Sequence, residues 1–289
     1  MPTSTTQLSK TQPANTIIFK QDTVLCLPTK SGYSPYIASL PIFKSSQGSV
    51  ALNLSQIGAK DMGAFTQVSQ AITTTFAKKQ GITWDSNAQF VPYRDLLTQL
   101  TVNEITAITH AMQLLRWQDE TQFCSRCATA VEQHSSGEPA MVCPSCHLHQ
   151  YPRIQPCVII AITRTNPTTH QPQILLAHHH RHSSPEQSPL YALISGFVEV
   201  GESLEQAIHR EVMEEVGVSI NNIRYIDSQP WPYPSNLMLG FIVDYESGDI
   251  TIEQAELSDA KFFDVNNLPR VPDKGTIARQ LIDMVVQTC

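Results

Sequence analysis

The stretch that decides the fold is GFVEVGESLEQAIHREVMEEVGV, residues 196–218. Within it, Ser203 followed by Gln206 is a capping-box start, and Gly217 is a natural C-terminal stop. These signals predict a helix over 203–216. Spacings of three and four residues then place its side chains on common faces.

The predicted helix carries an acidic cluster. One broad face is apolar at its start and acidic at its end, with Leu204, Ala207, Ile208, Glu211, Glu214 and Glu215. Carboxylates near a core are costly in their ionised form unless a cation lies close. Arg210 cannot balance three glutamates alone, whereas Mg²⁺ or Mn²⁺ can, because hard cations bind carboxylate oxygens. Spacing alone leaves two interpretations open, a divalent-metal site and a solvated acidic face.

A second signature comes from the cysteines. Four of the seven form two Cys-x-x-Cys pairs with fifteen residues between the pairs: Cys124, Cys127, Cys143 and Cys146. This spacing fits a four-thiolate zinc site, and four cysteines leave no open position for catalysis. We therefore predict one structural Zn²⁺, with four free thiols as the alternative. The residue after the second cysteine is Ala128, where such knuckles often carry glycine.

Composition limits the classes of protein to consider. The chain has 289 residues, 41% hydrophobic and 16% charged, with a net charge of −7, so it can build a real core but does not attract long nucleic acid by charge alone. The N-terminus has no apolar signal core, and the longest apolar run, CVIIAI at 157–162, is too short to span a membrane. The odd cysteine count argues against a disulfide framework. We expect a cytoplasmic protein with no membrane partner.

Patterning along the chain predicts an α/β architecture. A helix is predicted at 102–117, strands at 237–245 and 260–265, and a closing helix at 275–287. TIIF, TVLCL, CVIIAIT and QPQILLAHH also read as strands. The predicted segments are a disordered tail, an α+β N-terminal domain, a zinc ribbon and a C-terminal domain, at 1–16, 17–120, 121–152 and 153–289.

The stretch 196–218 resembles the Nudix box, G-x5-E-x7-R-E-U-x-E-E-x-G-U, in which U is aliphatic. Every specified position is filled, by Gly196, Glu202, Arg210, Glu211, Val212, Glu214, Glu215, Gly217 and Val218. The resemblance implies an α/β/α sandwich around a mixed sheet and hydrolysis of nucleoside diphosphates linked to another group. It also implies two to three Mg²⁺ or Mn²⁺ ions held by Glu211, Glu215 and the Ser195 carbonyl. Glu214 would lie close by, and Arg210 and Glu202 would orient the ligands.

A proline-rich segment follows, SQPWPYPSN at 228–236. Its composition alone favours a rigid surface loop, because its prolines exclude a helix or a central strand. The segment resembles the SQPWPFPxS signature of NADH pyrophosphatases, with Tyr233 in place of Phe and Asn236 in place of the final Ser. That branch of the Nudix superfamily also carries a four-cysteine zinc ribbon. The resemblance covers residues 90–289 well and the preceding residues only weakly.

Further positions carry over from this family. Glu256 matches a metal-binding glutamate, and Tyr151 and Phe197 resemble aromatic residues that sandwich the nicotinamide ring. The other substrate contacts implied are Arg94, Glu138, Gln229, Pro230, Trp231, Pro232, Tyr233, Pro234, Ser235, Asn236 and Ala278. A homodimer is also implied by the resemblance.

The implied reaction cuts NADH or NAD into nicotinamide mononucleotide and AMP, and extends to removing the NAD cap from RNA 5′ ends. Two alternatives are a Nudix hydrolase for another nucleoside diphosphate such as ADP-ribose, and a non-catalytic zinc-ribbon adaptor for nucleic acid. No G-x-G-x-x-G fingerprint supports a dehydrogenase. The histidine-rich HHHRH, 178–182, is interpreted as a solvated loop, from which Arg181 could touch a substrate phosphate.

Overall fold

The computed structural model describes residues 14–40, 51–53, 68–182 and 188–288. The chain forms two compact units, Met1–Arg153 and Ile154–Cys289. Most of the predicted tail lies outside the described residues, and the first strand begins at Ala14, two residues before the predicted end of that tail.

The N-terminal unit contains a mixed seven-stranded sheet. Its strands are β1 (Ala14–Lys20), β2 (Thr23–Thr29), β3 (Gly32–Pro35), β4 (Ile37–Leu40), β5 (Ala51–Asn53), β6 (Val68–Thr73) and β7 (Gln89–Pro92). They run in the order β3-β2-β1-β6-β5, with β4 also paired to β1 and β7 to β2. β1 and β6 are parallel. Ile18, Leu25 and Ile72 are fully buried in its core.

Helices and a small ribbon complete this unit. The helices are α1 (Thr74–Lys79), α2 (Tyr93–Leu96) and α3 (Val102–Glu120), and the ribbon strands are β8 (Glu132–Gln133), β9 (Met141–Val142) and β10 (His149–Gln150). A capping box between Thr101 and Glu104 starts α3, which extends three residues beyond its predicted end. Trp117 of α3 packs against the apolar residues and cysteines of the ribbon.

The C-terminal unit is built on a mixed six-stranded sheet. Its strands are β11 (Gln155–Thr165), β12 (Pro172–His179), β13 (Ile194–Phe197), β14 (Ser219–Trp231), β15 (Asn236–Ser247) and β16 (Leu257–Asp264). The order is β14-β15-β11-β12-β16, with β13 also paired to β11. Among these described strands, only β11 and β15 pair in parallel.

Two helices cover the opposite faces of this sheet. Helix α4 (Leu204–Val216) packs on one face, where Ile160, Val212 and Val243 are buried, and α5 (Ile277–Thr288) packs on the other. The predicted α/β/α sandwich around a mixed sheet is therefore confirmed. Within the described ranges, no helix is both long enough and apolar enough to cross a membrane.

The predicted boundaries of α4 are confirmed by its caps. The Ser203 hydroxyl accepts a hydrogen bond from the Gln206 amide, and the Gln206 side chain accepts one from the Ser203 amide. Gly217 ends the helix with a φ of 69°, and a Cβ at this position would approach Thr251 to 3.2 Å. Glycine meets both requirements, because it tolerates positive φ and lacks a side chain.

The interpretation of HHHRH as a solvated loop was wrong for its first half. His178 and His179 are the buried last residues of β12, and His180–His182 form a 3-10 turn in which His180 and Arg181 are exposed. Pairing with β16 continues to His179, so sheet packing rather than local polarity decides where the strand ends. The proline segment is neither a helix nor a central strand, as its composition predicts, but it is not a loop throughout. β14 runs through Pro230 to Trp231 on an edge of the sheet, where proline is tolerated.

Candidate active site

The acidic face of α4 divides into buried and exposed members. The side chains of Glu211 and Glu215 are 12% and 5% exposed, whereas that of Glu214 is 60% exposed. A solvated acidic face therefore describes only Glu214. The other two carboxylates continue the apolar stripe of the helix into the protein.

Arg210 is the hub of this face. Its Nε and Nη2 bind the two Glu202 carboxylate oxygens at 2.6 and 3.0 Å. Its Nη1 binds Glu211 Oε1 at 2.7 Å and Glu214 Oε2 at 3.0 Å, and its Nη2 also binds the Phe197 carbonyl at 2.8 Å. A guanidinium has five N–H donors, so these five bonds occupy all of them. Arg210 orients the glutamates and has no donor left for a ligand.

The first glycine of the box makes room for a carboxylate. A Cβ built on Gly196 would overlap the carboxyl group of Glu211. Gly196 lies in β13, directly beside α4, so a larger residue would drive Glu211 out of its place against the strand.

The pKa values of these carboxyl groups are shifted in opposite directions. Hydrogen bonds from Arg210 lower the pKa of Glu202 to about 2. Burial raises the pKa of Glu211, and raises that of Glu215 to about 8. The charges of Glu211 and Glu256 contribute to this rise in the pKa of Glu215, while Arg181 and a hydrogen bond from the Ser195 backbone oppose it.

The loop before β16 brings Glu256 to this cluster. The Thr251 amide donates to the Val216 carbonyl at 3.0 Å, and the Glu253 amide donates to the Glu215 carbonyl at 3.0 Å. These bonds fasten the loop to the C-terminal end of α4. Glu256, exposed at the end of the loop, therefore adds its charge to those of Glu211 and Glu215.

The donor set fits a hard divalent cation. Within the described part of the chain, Glu215 Oε2 is buried and has no hydrogen-bond partner, although an unsatisfied buried oxygen costs about 1–3 kcal/mol. Carboxylate and carbonyl oxygens are the ligands that Mg²⁺ and Mn²⁺ prefer. Glu211, Glu215, Glu256 and the Ser195 carbonyl supply this chemistry. They are spaced more widely than the cysteines, since only the cysteines among the described residues bring three or more ligand atoms within 4.8 Å.

A histidine that the sequence analysis did not assign lies beside this cluster. His179 Nε2 is 4.0 Å from Glu215 Oε2, and both side chains are buried. The signal that could have found it is its place in QILLAHH, since Leu175, Ala177 and His179 alternate toward the face that α4 covers. Arg181, two residues later, is exposed.

The 3-10 turn that carries Arg181 is fixed to the Glu256 loop. The His180 amide donates to the Glu256 carbonyl at 3.0 Å, and His180 Nε2 lies 3.2 Å from the Gln254 carbonyl. Arg181 thereby sits close enough for its charge to lower the pKa of Glu215.

The proline–aromatic segment forms one wall near the start of α5. The Trp231 and Tyr233 rings are tilted with centroids 5.2 Å apart. Gln229 has a structural role that sequence reasoning missed, because its side chain donates to the Gly275 carbonyl and accepts from the Ile277 amide, both at 2.8 Å. Ala278, the next residue, packs against the α5 core. Gln229 and Ala278, predicted separately, are thus brought together.

The remaining predicted substrate residues are distributed over both units. In the C-terminal unit Phe197 is half-exposed at the end of β13, and Asn236 is buried at the start of β15. In the N-terminal unit Tyr151 is half-exposed, with its hydroxyl 3.5 Å from His149 Nδ1. Glu138 is exposed in the ribbon, and Arg94 is exposed on α2. The roles of these residues in substrate binding stay predictions.

The four ribbon cysteines form a compact thiol cluster. All four Sγ atoms lie within 4.8 Å of one another. Sγ–Sγ distances are 3.5 Å for Cys124–Cys146, 3.4 Å for Cys127–Cys143 and 3.6 Å for Cys127–Cys146. Zinc–sulfur bonds of about 2.3 Å in a tetrahedron require sulfurs about 3.8 Å apart, far beyond a disulfide bond. The cluster has the size and chemistry of a closed zinc site.

The two knuckles repeat one backbone conformation. The residues after the second cysteine of each pair, Ala128 and His147, both have a φ of 58°. Their amides donate to the carbonyls of Cys124 and Cys143, each at 2.9 Å. Ala128 thus adopts the left-handed conformation for which glycine is often used at this position.

Comparisons with known families identify both modules. Residues 154–284 match the NUDIX domain, and residues 119–151 match the NADH pyrophosphatase zinc ribbon domain. A crystal structure of a NUDIX hydrolase from Nitrosomonas europaea is also similar, with a TM-score of 0.47 and 21% identity, over 57% of this chain and 90% of that one.

Two related proteins are similar to this chain over a longer stretch than either module. The NAD-capped RNA hydrolase NudC of Haemophilus influenzae strain PittEE is 41% identical over 202 residues, which span 70% of this chain and 73% of that protein. The NAD-capped RNA hydrolase NudC of Shigella dysenteriae serotype 1 is 44% identical over 178 residues, 62% of this chain and 65% of that protein. With a zinc ribbon followed by a Nudix domain, the chain belongs to the NudC family of the Nudix hydrolase superfamily.

Proposed function

We propose that this chain hydrolyses the diphosphate bond of NADH and NAD, giving nicotinamide mononucleotide and AMP, and that it removes the NAD cap from RNA 5′ ends. The observation that carries the proposal is the buried Glu211–Glu215 pair, of which Arg210 holds Glu211, in a chain 41% identical to an NAD-capped RNA hydrolase. The zinc ribbon is the structural module of the same family.

The α4 carboxylates supply the metal site in this proposal. Glu211, Glu215, Glu256 and the Ser195 carbonyl would hold two to three Mg²⁺ or Mn²⁺ ions. Such ions neutralise the anionic diphosphate oxygens and lower the pKa of bound water. Arg210 and Glu202 keep Glu211 in place, and Glu214 stays at the exposed rim through its bond to Arg210.

The reaction adds one water across the phosphorus–oxygen–phosphorus bridge. The water oxygen bonds to one phosphorus, the bond from that phosphorus to the bridging oxygen breaks, and the other phosphate leaves with the electron pair. Glu215 positions or deprotonates the attacking water. All five donors of Arg210 are occupied. In this proposal the negatively charged diphosphate is therefore bound by Arg181, which is exposed and close enough to Glu215 to lower its pKa.

Aromatic side chains hold the base in this scheme. Phe197 stacks on the nicotinamide ring, and the segment 229–236 and Ala278 form the wall of the pocket. The roles of Tyr151, Arg94 and Glu138, which belong to the N-terminal unit, stay predictions. We also propose a homodimer. We also propose a cytoplasmic location, with which the free thiols of Cys26 and Cys157 accord.

The deciding experiment compares NADH, NAD, ADP-ribose and NAD-capped RNA as substrates for the zinc-loaded protein with Mg²⁺ or Mn²⁺. We expect AMP and nicotinamide mononucleotide from NADH, and Glu215→Gln to remove turnover without changing zinc content or fold. A faster rate on ADP-ribose than on NADH would favour the alternative hydrolase. Failure to release AMP from either dinucleotide would overturn the proposal.

A further inference from the structure

A buried histidine lies beside the carboxylate to which metal binding was assigned. His179 Nε2 is 4.0 Å from Glu215 Oε2, and the two side chains are 3% and 5% exposed. At these depths both groups are shielded from solvent, so the chemistry of each is set by its protein neighbours.

The sheet fixes where this imidazole can be. His179 is the last residue of β12 and pairs with Leu257 of β16, after a register shift that passes over Ser258. The Ser258 hydroxyl donates to the His178 carbonyl at 3.0 Å and holds this irregular step in place. His179 is therefore held on the α4 side of the sheet, whereas the His178 ring lies 5.7 Å from Tyr191 on the α5 side.

Glu215 lacks a hydrogen bond that this histidine could supply. Among the residues that the structure describes, none donates to Glu215 Oε2, although the atom is buried. Arg210, the nearest guanidinium on α4, has all its donors engaged with other groups. A distance of 4.0 Å is longer than a hydrogen bond, but such contacts often tighten when an active site binds its ligands.

We propose that His179 is a positioning residue whose Nε2–H donates to Glu215 Oε2 and fixes the carboxylate that binds the divalent cation. This inference rests on the proposed function only in taking Glu215 as a metal ligand. Groups that orient a ligand in this way typically change metal affinity by about tenfold to a hundredfold when removed.

The test measures Mn²⁺ affinity by electron paramagnetic resonance on the full-length, zinc-loaded protein without substrate. His179→Leu removes the donor and keeps a buried apolar side chain, so we expect Mn²⁺ to bind about tenfold to a hundredfold more weakly. His179→Gln places an amide donor near the position of Nε2, so we expect affinity close to that of the wild type. His178→Leu is the matched control, because it changes the adjacent buried histidine on the other face.

Two results would overturn the inference. One is wild-type Mn²⁺ affinity in His179→Leu. The other is equal loss in His179→Gln and His179→Leu, which would assign the residue to packing rather than to hydrogen bonding. Thermal unfolding of each variant separates these effects from loss of fold. Because the readout needs no turnover, a wild type that binds Mn²⁺ but leaves NADH intact would sink the proposed function and not this inference.

Discussion

The carboxylate of Glu211 lies directly against the backbone of Gly196, in the space that a side chain at that position would fill. Gly196 and Glu211 are therefore one steric unit, joined across β13 and α4. The requirement for glycine here comes from close approach rather than from an unusual backbone angle.

Gly196→Ala should displace the Glu211 carboxylate and break its 2.7 Å bond to Arg210. We expect kcat/KM for NADH to fall by at least about a hundredfold, since small misplacements of catalytic groups carry such costs. Unfolding should show a loss of about 1–3 kcal/mol from overpacking. The control is a double-mutant cycle with Glu211→Ala. If Gly196→Ala cost the Glu211→Ala protein as much stability as it costs the wild type, residues 196 and 211 would not clash.

Glu202→Gln should alter the pH dependence of stability. The pKa of Glu202 is about 2 in the folded protein, below its ordinary value of 4.5, so folding favours its ionised form. The stability advantage of the wild type is therefore complete above pH 4.5 and disappears as the pH falls toward 2. Urea unfolding of both proteins across this pH range measures the difference in their free energies of unfolding. Acid also weakens the zinc ribbon, but both proteins contain it, so its effect cancels in the difference. Glu199→Gln, which Arg210 does not contact, is the control. A difference that does not change with pH would contradict the prediction.

Arg181→Gln should weaken catalysis without weakening metal binding. We expect kcat/KM for NADH to fall about tenfold to a hundredfold, because a hydrogen bond to a charged group is worth about 1.5–3 kcal/mol. Arg181→Lys should retain part of the rate, since it keeps the charge but not the planar fork. Arg126→Gln, an exposed arginine of the ribbon, is the matched control. Unchanged kinetics in Arg181→Gln would remove the residue from substrate binding.

Ala128→Gly should strengthen the zinc ribbon. Alanine at a φ of 58° is strained by about 1–2 kcal/mol, and the greater freedom of glycine in the unfolded chain offsets about 0.4–1 kcal/mol of the gain. Because folding of such modules is coupled to zinc binding, chelator competition should show tighter zinc retention. Ala130→Gly, outside the left-handed region, should weaken retention, and Cys143→Ser should lose the metal. Weaker zinc binding by Ala128→Gly would show that the strain is relieved elsewhere.

Local signals predicted much of this structure. The capping box at Ser203, the stop at Gly217 and the cysteine spacing all act over a few residues, so the sequence alone predicted α4 and the thiol cluster. The order of polar and apolar residues also predicted β11, β12, β15 and β16 of the sandwich, with shorter bounds for β15, but it did not predict β13 or β14.

Features decided by tertiary packing were not predicted. Histidine occurs both in loops and in cores, so the polarity of HHHRH could not show that His179 would meet Glu215 beneath α4. Nothing in the sequence near Gln229 indicates that its side-chain amide forms a hydrogen bond with the first residue of α5, 48 residues away. The exposed position of Glu214 depends on how α4 is rotated against the sheet, which its spacing alone does not settle.

The parallel pairing at the centre of the sheet has a consequence for how the chain is made. Gln155 of β11 pairs with Asn236 of β15, so the middle of the catalytic unit cannot close until synthesis has passed that point. All four ribbon cysteines lie within 23 residues, from Cys124 to Cys146, so the ribbon can fold long before Asn236 has been synthesised. Each nascent chain therefore carries a closed ribbon ahead of an open, apolar half-sheet, and that interval is when the protein is most exposed to aggregation.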